Sequence, residues 1–202
     1  MSMFRNLIMV SGGGSILPPA YQQVEYIEGT GTQYINTNFV DAGNTDYEMQ
    51  FELTTFARNY QMYIGGYRNQ PAFPKLFASG DQFSLLRIQS SSDHTFNVAP
   101  GIRYSIKIEG SILTFNNTTL SLTRGSGKDA ATTIYVFNCY SEPNLISAMK
   151  LYSLKMYDNG VKVRDLVPCY RKSDNEIGLY DIVNNVFYTN AGTGTFIKGP
   201  NV

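Results

Sequence analysis

Paired carboxylates are the first residues to test for chemistry. Glu48 and Glu52 lie four residues apart in YEMQFEL (47–53), where Tyr47, Met49, Phe51 and Leu53 alternate with Glu48, Gln50 and Glu52. Strand alternation puts both carboxylates on one face, and two carboxyl groups about 5 Å apart are what retaining glycoside hydrolysis requires. The Glu-x-Asp-x-x-Glu spacing of strand-borne hydrolase pairs does not occur, however. The alternation assigns both glutamates to the solvent side of a half-buried antiparallel strand. The single histidine, His94, follows Asp93 and the serines Ser90, Ser91 and Ser92. Catalytic triads are assembled from distant segments around a nucleophile elbow; no GxSxG string is present, and QSSSDHTF reads as a polar hairpin tip. No residue is assigned a catalytic role, and the chain is not expected to be an enzyme.

Ligand-binding chemistry has more material. Sugars stack their C–H faces on aromatic rings while amides, carboxylates and guanidinium groups orient their hydroxyls. Tyr60, Tyr63, Tyr67, Arg68, Asn69 and Phe73 supply that mixture in a loop-rich stretch and are the candidate ligand-binding residues, although Tyr63 could equally be core. Two oxygen-rich turns, Asp41 with Asn44 and Asp46, and Asp158 with Asn159, offer the hard ligands that calcium takes. Neither has the regular spacing of a calcium loop, and both read as ordinary Asx turns. Calcium bound by Asp41, Asn44 and Asp46 remains the one cofactor candidate. The similar strings GTGTQ (29–33) and GTGTF (192–196) precede strands rather than a helix, so they are turns and not phosphate cradles. Tyr170-Arg171-Lys172 reads as a solvated strand end.

The elements that would position these residues are all strands. Alternation or short apolar runs mark Val24–Ile27, Tyr34–Phe39, Tyr47–Leu53, Gln61–Gly65, a short strand around Leu76, Phe83–Ile88, Thr95–Val98 and Tyr104–Ile108. Leu113–Phe115 and Thr118–Leu122 should pair across Asn116-Asn117, followed by Thr133–Asn138 and Met149–Tyr157. Asp158-Asn159-Gly160 then predicts a type I′ hairpin turn, which needs positive φ at both central residues. A second hairpin is expected in GLYDIVNNVFYTN. No window carries a helical period, and more than ten short strands separated by Gly, Asn and Pro predict a two-sheet antiparallel jelly-roll β-sandwich.

Composition narrows the partners. The chain has 202 residues and zero formal net charge, without the clustered Lys and Arg that nucleic acid demands. Aromatic residues make up 13%, all Tyr and Phe, which suits half-buried sheets and binding faces. Residues 1–16 form an N-terminal arm with a Gly/Ser hinge, and 17–202 the single domain. The apolar run Leu7 to Val10 is shorter than the roughly 7–15 residues of a signal sequence and the roughly 20 of a membrane span. Phe4, Leu7, Ile8 and Val10 are therefore read as an assembly arm that lies against a neighbouring subunit. Cys139 and Cys169 occupy apolar strands and read as buried free thiols, with a disulfide open only if their strands face each other.

Two stretches carry a family resemblance. LPPAYQQVEYIEGTGTQYINT (17–37) and the segment from Leu151 to Phe196, containing YDNGVKVRDLVPCYRKSDNEIGLYDIVNNVFYTNAGTGTF, resemble the opening and closing segments of small phage and prophage proteins of gut bacteria. Those proteins are similar to laminin G-like domains of the concanavalin A-like lectin/glucanase superfamily. The resemblance implies a sandwich whose first and last strands pair, sometimes with a rim calcium. It also implies a virion setting, as fibre, tail, baseplate or capsid decoration. The expected function is a non-enzymatic phage structural module that binds host surface glycan; the alternative is a connector docking through its arm. The expected partners are other virion proteins, with a homo-oligomer, by analogy with fibres a trimer, and no membrane insertion.

Overall fold

The computed structural model describes residues 16–41, 43–55, 61–66, 74–78, 85–89, 93–124, 133–138 and 146–202. Among them there is no helix, and the strands form two antiparallel sheets that make a β-sandwich. In chain order the first eight are β1 (Tyr21–Gln23), β2 (Ile27–Thr30), β3 (Ile35–Val40), β4 (Thr45–Leu53), β5 (Met62–Gly65), β6 (Lys75–Ala78), β7 (Leu85–Gln89) and β8 (Asp93–Asn97). The next five are β9 (Arg103–Glu109), β10 (Ile112–Phe115), β11 (Thr118–Ser121), β12 (Thr133–Val136) and β13 (Ala148–Asp158). The last four are β14 (Val161–Arg171), β15 (Ile177–Asp181), β16 (Val186–Thr189) and β17 (Ile197–Lys198). The large sheet runs β11-β10-β9-β4-β13-β14-β15-β16, with β1 on β14, and β2 between β13 and β17. The smaller sheet runs β3-β12-β5-β6-β7-β8.

Local turn chemistry accounts for the hairpins. Asn159 and Gly160 have φ of 49° and 78°, so both central residues of the β13–β14 turn are left-handed, as a type I′ turn requires. Phe115 pairs with Thr118 across Asn116-Asn117. In the β15–β16 turn, the fully buried Asp181 carboxylate accepts N–H bonds from Asp165 (3.1 Å) and Val183 (3.0 Å) and an amide bond from Asn184 (2.7 Å). Arg164 stands 3.5 Å from the same carboxylate, which leaves this buried charge paired.

The two ends of the domain meet. The strand expected at Val24–Ile27 is split, because the chain passes from β14, where Val24 N–H still donates to Pro168 O at 3.0 Å, to the C-terminal tail: Glu25 N–H donates to Pro200 O at 2.9 Å, and Val24 bridges Asn201. Beyond the break β2 pairs with β17 and with the start of β13.

The core lies between the sheets. Tyr47, Met49, Phe51 and Leu53 of β4 all point inward with Ile106 and Ile108 of β9 and Leu151 and Leu154 of β13. Ile35, Ile64, Leu76 and Val136 face them from the smaller sheet. A second cluster of Leu17, Val167, Cys169 and Tyr180, flanked by Tyr21 and Phe187, covers the other face of β14 and β15. Burial on both faces is why residues 165–169 read as a continuous buried run instead of alternating.

Candidate binding face

The outward face of the large sheet is built from three strands in register. Lys155, Glu48 and Lys107 form one row across β13, β4 and β9, and Ser153, Gln50 and Ser105 form the next. Lys150, Glu52 and Arg103 form the third. Each residue projects outward because its neighbours along the strand, among them Met49, Phe51, Ile106 and Leu154, are claimed by the core.

A bulge breaks this regularity at one place. The β13–β4 register shifts between Leu151 and Ser153, so Tyr152 is an extra residue, and both Tyr152 and Ser153 face outward. Tyr152 is held on several sides. Its hydroxyl donates to Glu52 Oε2 at 2.8 Å, the Arg103 guanidinium carbon lies 3.7 Å from its ring centre, and Tyr26 meets it edge-on at 5.4 Å. Lys150 Nζ donates to Glu52 Oε1 at 2.8 Å, and Arg103 Nη2 donates to Gln50 Oε1 at 2.7 Å. Burial by itself would raise the Glu52 carboxyl; the hydrogen bonds from Lys150 and Tyr152, with the charges of Lys150 and Arg103, outweigh it and hold Glu52 below its ordinary value. Burial, then the bond to Glu52, pushes the Tyr152 phenol up.

Between the two long-side-chain rows, the short Ser153 and Ser105 leave a shallow trough of about 230 Å³ running across the strands. Gln50 crosses its floor, and Glu48, Lys107 and Lys155 make one wall. Asn116, whose side-chain oxygen accepts the Ser105 N–H at 2.9 Å, stands beside Ser105 at the β10–β11 turn. Lys107 bonds Glu109 at 3.0 Å and stands 3.7 Å from Glu48.

Of the candidate ligand-binding residues only Tyr63 is described, and it lies apart from this face. Tyr63 is a core residue: its ring is fully buried, stacked on Phe51 at 6.2 Å, and its hydroxyl donates to Gln61. Tyr60, Tyr67, Arg68, Asn69 and Phe73 lie outside the described residues, as do Phe4, Leu7, Ile8, Val10 and Cys139. Cys169 is a free, buried thiol, pushed up to about 12 by burial. His94 belongs to β8 opposite Ile88 instead of to the hairpin tip, since β7 and β8 pair up to Gln89 and Asp93.

The two oxygen-rich turns come together at one rim, where Asn44 Nδ2 donates to Asn159 Oδ1 at 3.1 Å. One oxygen each of Asp41, Asp46, Asp158 and Asn159 is already used. Asp46 Oδ1 pairs with Arg124 at 3.0 Å and accepts the Gly110 N–H at 3.1 Å, and Arg124 also donates to Thr45 O. Asp41 Oδ1 accepts from Gly43 N–H at 3.0 Å and from the Thr45 hydroxyl at 2.5 Å. At this rim Asp41 Oδ2 and Arg124 Nε are buried without a hydrogen-bond partner. A guanidinium seated on the Asp46 carboxylate does not suit a calcium ion at the same place. Among the described residues no group of three or more His, Cys, Asp or Glu converges.

Sequence reading assigned Glu48 and Glu52 to a solvated face, which is where they lie, but missed Arg103, Ser105, Tyr152 and Ser153. The bulge that turns Tyr152 outward is marked in MKLYSLKMY only by the three-residue step from Leu151 to Leu154, where strict alternation would give two. Compared with known proteins, the chain matches no protein-family model and no curated protein. No helix among the described residues is long and apolar enough to cross a membrane.

Proposed function

We propose that this chain is a non-enzymatic module of a phage particle, a jelly-roll sandwich of the laminin G-like type that binds host surface glycan. The observation that carries the reading is the outward face of the large sheet, where a preorganised polar network borders a trough of serine and glutamine. Its setting in the virion, beside other virion proteins and as a homo-oligomer with trimeric fibres as the guide, rests on the resemblance of its two end segments. Those end segments are neighbours in the large sheet, where β1 pairs with β14 and β2 with the start of β13.

The non-catalytic reading has a physical basis. A glycoside hydrolase needs one carboxyl raised enough to act as general acid. Glu52 is lowered instead, and its two oxygens are engaged by Lys150 and Tyr152. Glu48 stands beside Lys107.

A second reading, a structural connector docking through residues 1–16, draws on the second apolar cluster. Leu17 is buried in it while Ile16 next to it is 60% exposed, so the arm leaves the domain from an apolar surface. Binding assays on bacterial cells and on an array of bacterial surface polysaccharides separate the two. Retention on either supports the adhesion module; blanks on both, with loss of incorporation when residues 1–16 are deleted, would leave the connector.

A further inference from the structure

The geometry points to the trough over β13, β4 and β9 as the site of a linear, carboxylate-bearing polysaccharide, with Lys155 as the group that reads the acid. This rests on the glycan-binding reading above and adds to it a place and a chemical class.

Shape and chemistry select a sugar chain. The trough runs across three strands, which at about 4.8 Å spacing span about 10 Å, enough for about two sugar rings laid end to end. Its floor offers the Ser153 hydroxyl, the Ser105 hydroxyl, which reaches Asn116 Oδ1 at 3.4 Å, and the Gln50 amide nitrogen, whose oxygen partner accepts from Arg103; hydroxyls and amides match the donors and acceptors of a sugar. It lies on the face of the sheet, away from free edges, so an extended peptide finds no backbone ladder to join. The Ser-Gln-Ser floor gives apolar side chains no pocket.

Charge selects an acidic chain. Among the described side chains, Lys155 alone of the lysines and arginines has no carboxylate, carbonyl or aromatic ring as partner. Lys155 stands in the trough wall beside Glu48, which faces Lys107 from the other side. Lys107 is held by Glu109 at 3.0 Å and by Glu48 at 3.7 Å, so Lys155 is the cation of the wall left without a direct carboxylate partner. A carboxylate on a chain lying along the serine row supplies the missing counter-charge. Tyr152, next to Ser153 in β13, is already fixed by Glu52 and Arg103.

The test is retention of the full chain on immobilised uronic-acid-containing bacterial capsular polysaccharides and on the same polysaccharides after carboxyl reduction. Wild type is compared with Lys155→Gln and with Ser105→Tyr and Ser153→Tyr, which fill the floor while keeping strand-compatible side chains. The expected result is binding by wild type, at least a tenfold loss on carboxyl reduction or in Lys155→Gln, and no measurable binding in the filled variants at unchanged melting temperature. Equal binding by wild type and filled variants would overturn the site while leaving glycan binding intact. Equal binding to native and reduced polysaccharide would overturn the acidic class. No retention of wild type on any polysaccharide would overturn both the site and the glycan reading beneath it.

Discussion

Gln33 and Thr195, 162 residues apart, are joined by a hydrogen bond from the Gln33 side-chain amide to the Thr195 carbonyl at 3.1 Å. The Gln33 side-chain oxygen accepts the Thr30 N–H at 2.8 Å, so one buried side chain closes its own turn and fastens the C-terminal turn to it. Thr193 N–H adds a bond to Thr32 O at 3.0 Å. The similar strings GTGTQ and GTGTF are thus two halves of one clasp that shuts the sandwich behind the outward face.

Replacing Gln33 by Ala removes the partner of the Thr30 N–H and of the Thr195 carbonyl, two part-buried hydrogen bonds. Loss of about 1 kcal/mol of stability is expected, read as a lowered denaturation midpoint with unchanged slope. A shift below about 0.5 kcal/mol would show the clasp to be incidental.

Two glycines should behave in opposite ways. A Cβ at Gly178 would fall 2.1 Å from the Tyr188 carbonyl oxygen, a backbone atom of the adjacent strand. Gly178→Ala is expected to cost about 3 kcal/mol or more and to broaden the amide spectrum of β15 and β16. At Gly160 a Cβ meets nothing within 4 Å, and only its φ of 78° opposes substitution. Gly160→Ala should cost about 1 kcal/mol. Thermal melts of the two variants side by side check the contrast.

These residues also show what a sequence can disclose. The Asn159-Gly160 turn and the inward alternation of Tyr47, Met49, Phe51 and Leu53 are local properties, and both were legible. The Gln33–Thr195 clasp was not, because the partners of a turn so distant in sequence are chosen by the sheet order. Tyr63 was ambiguous for a related reason: in β5 both Tyr63 and Ile64 are fully buried, so alternation could not say which face was wet. The binding face was half legible. Glu48 and Glu52 were placed correctly, but the trough depends on a bulge at Tyr152 and on the register of three strands that sequence alone does not align.

Arg124 should hold the rim that sequence offered to calcium. Arg124→Met leaves the Asp46 carboxylate without its cation, and a loss of about 3 kcal/mol is expected. In wild type, millimolar calcium or a chelator should leave the melting temperature unchanged. A calcium-dependent rise in wild type would contradict the assignment of Arg124 as the resident cation.

Alkaline pH should weaken the fold in a defined window. Burial raises the Cys169 thiol from 9.0 to about 12, so the folded state holds this proton more tightly than the unfolded chain. The stabilisation is complete below pH 9 and is lost as pH rises toward about 12. The buried phenols of Tyr47 and Tyr63, also raised by burial, act in the same direction. Cys169→Ala should flatten part of that decline in a stability-against-pH series. Thiol reagents at pH 8 should label native Cys169 only as fast as the domain opens.

The outward face is tested most directly by adsorption of the fluorescently labelled chain to gut bacteria, before and after enzymatic removal of their surface polysaccharide. Wild type should adsorb to intact cells and lose adsorption on stripped ones. Ser105→Tyr should fail on both while melting like wild type. Equal adsorption of wild type and Ser105→Tyr, or adsorption indifferent to polysaccharide removal, would contradict glycan binding through this face.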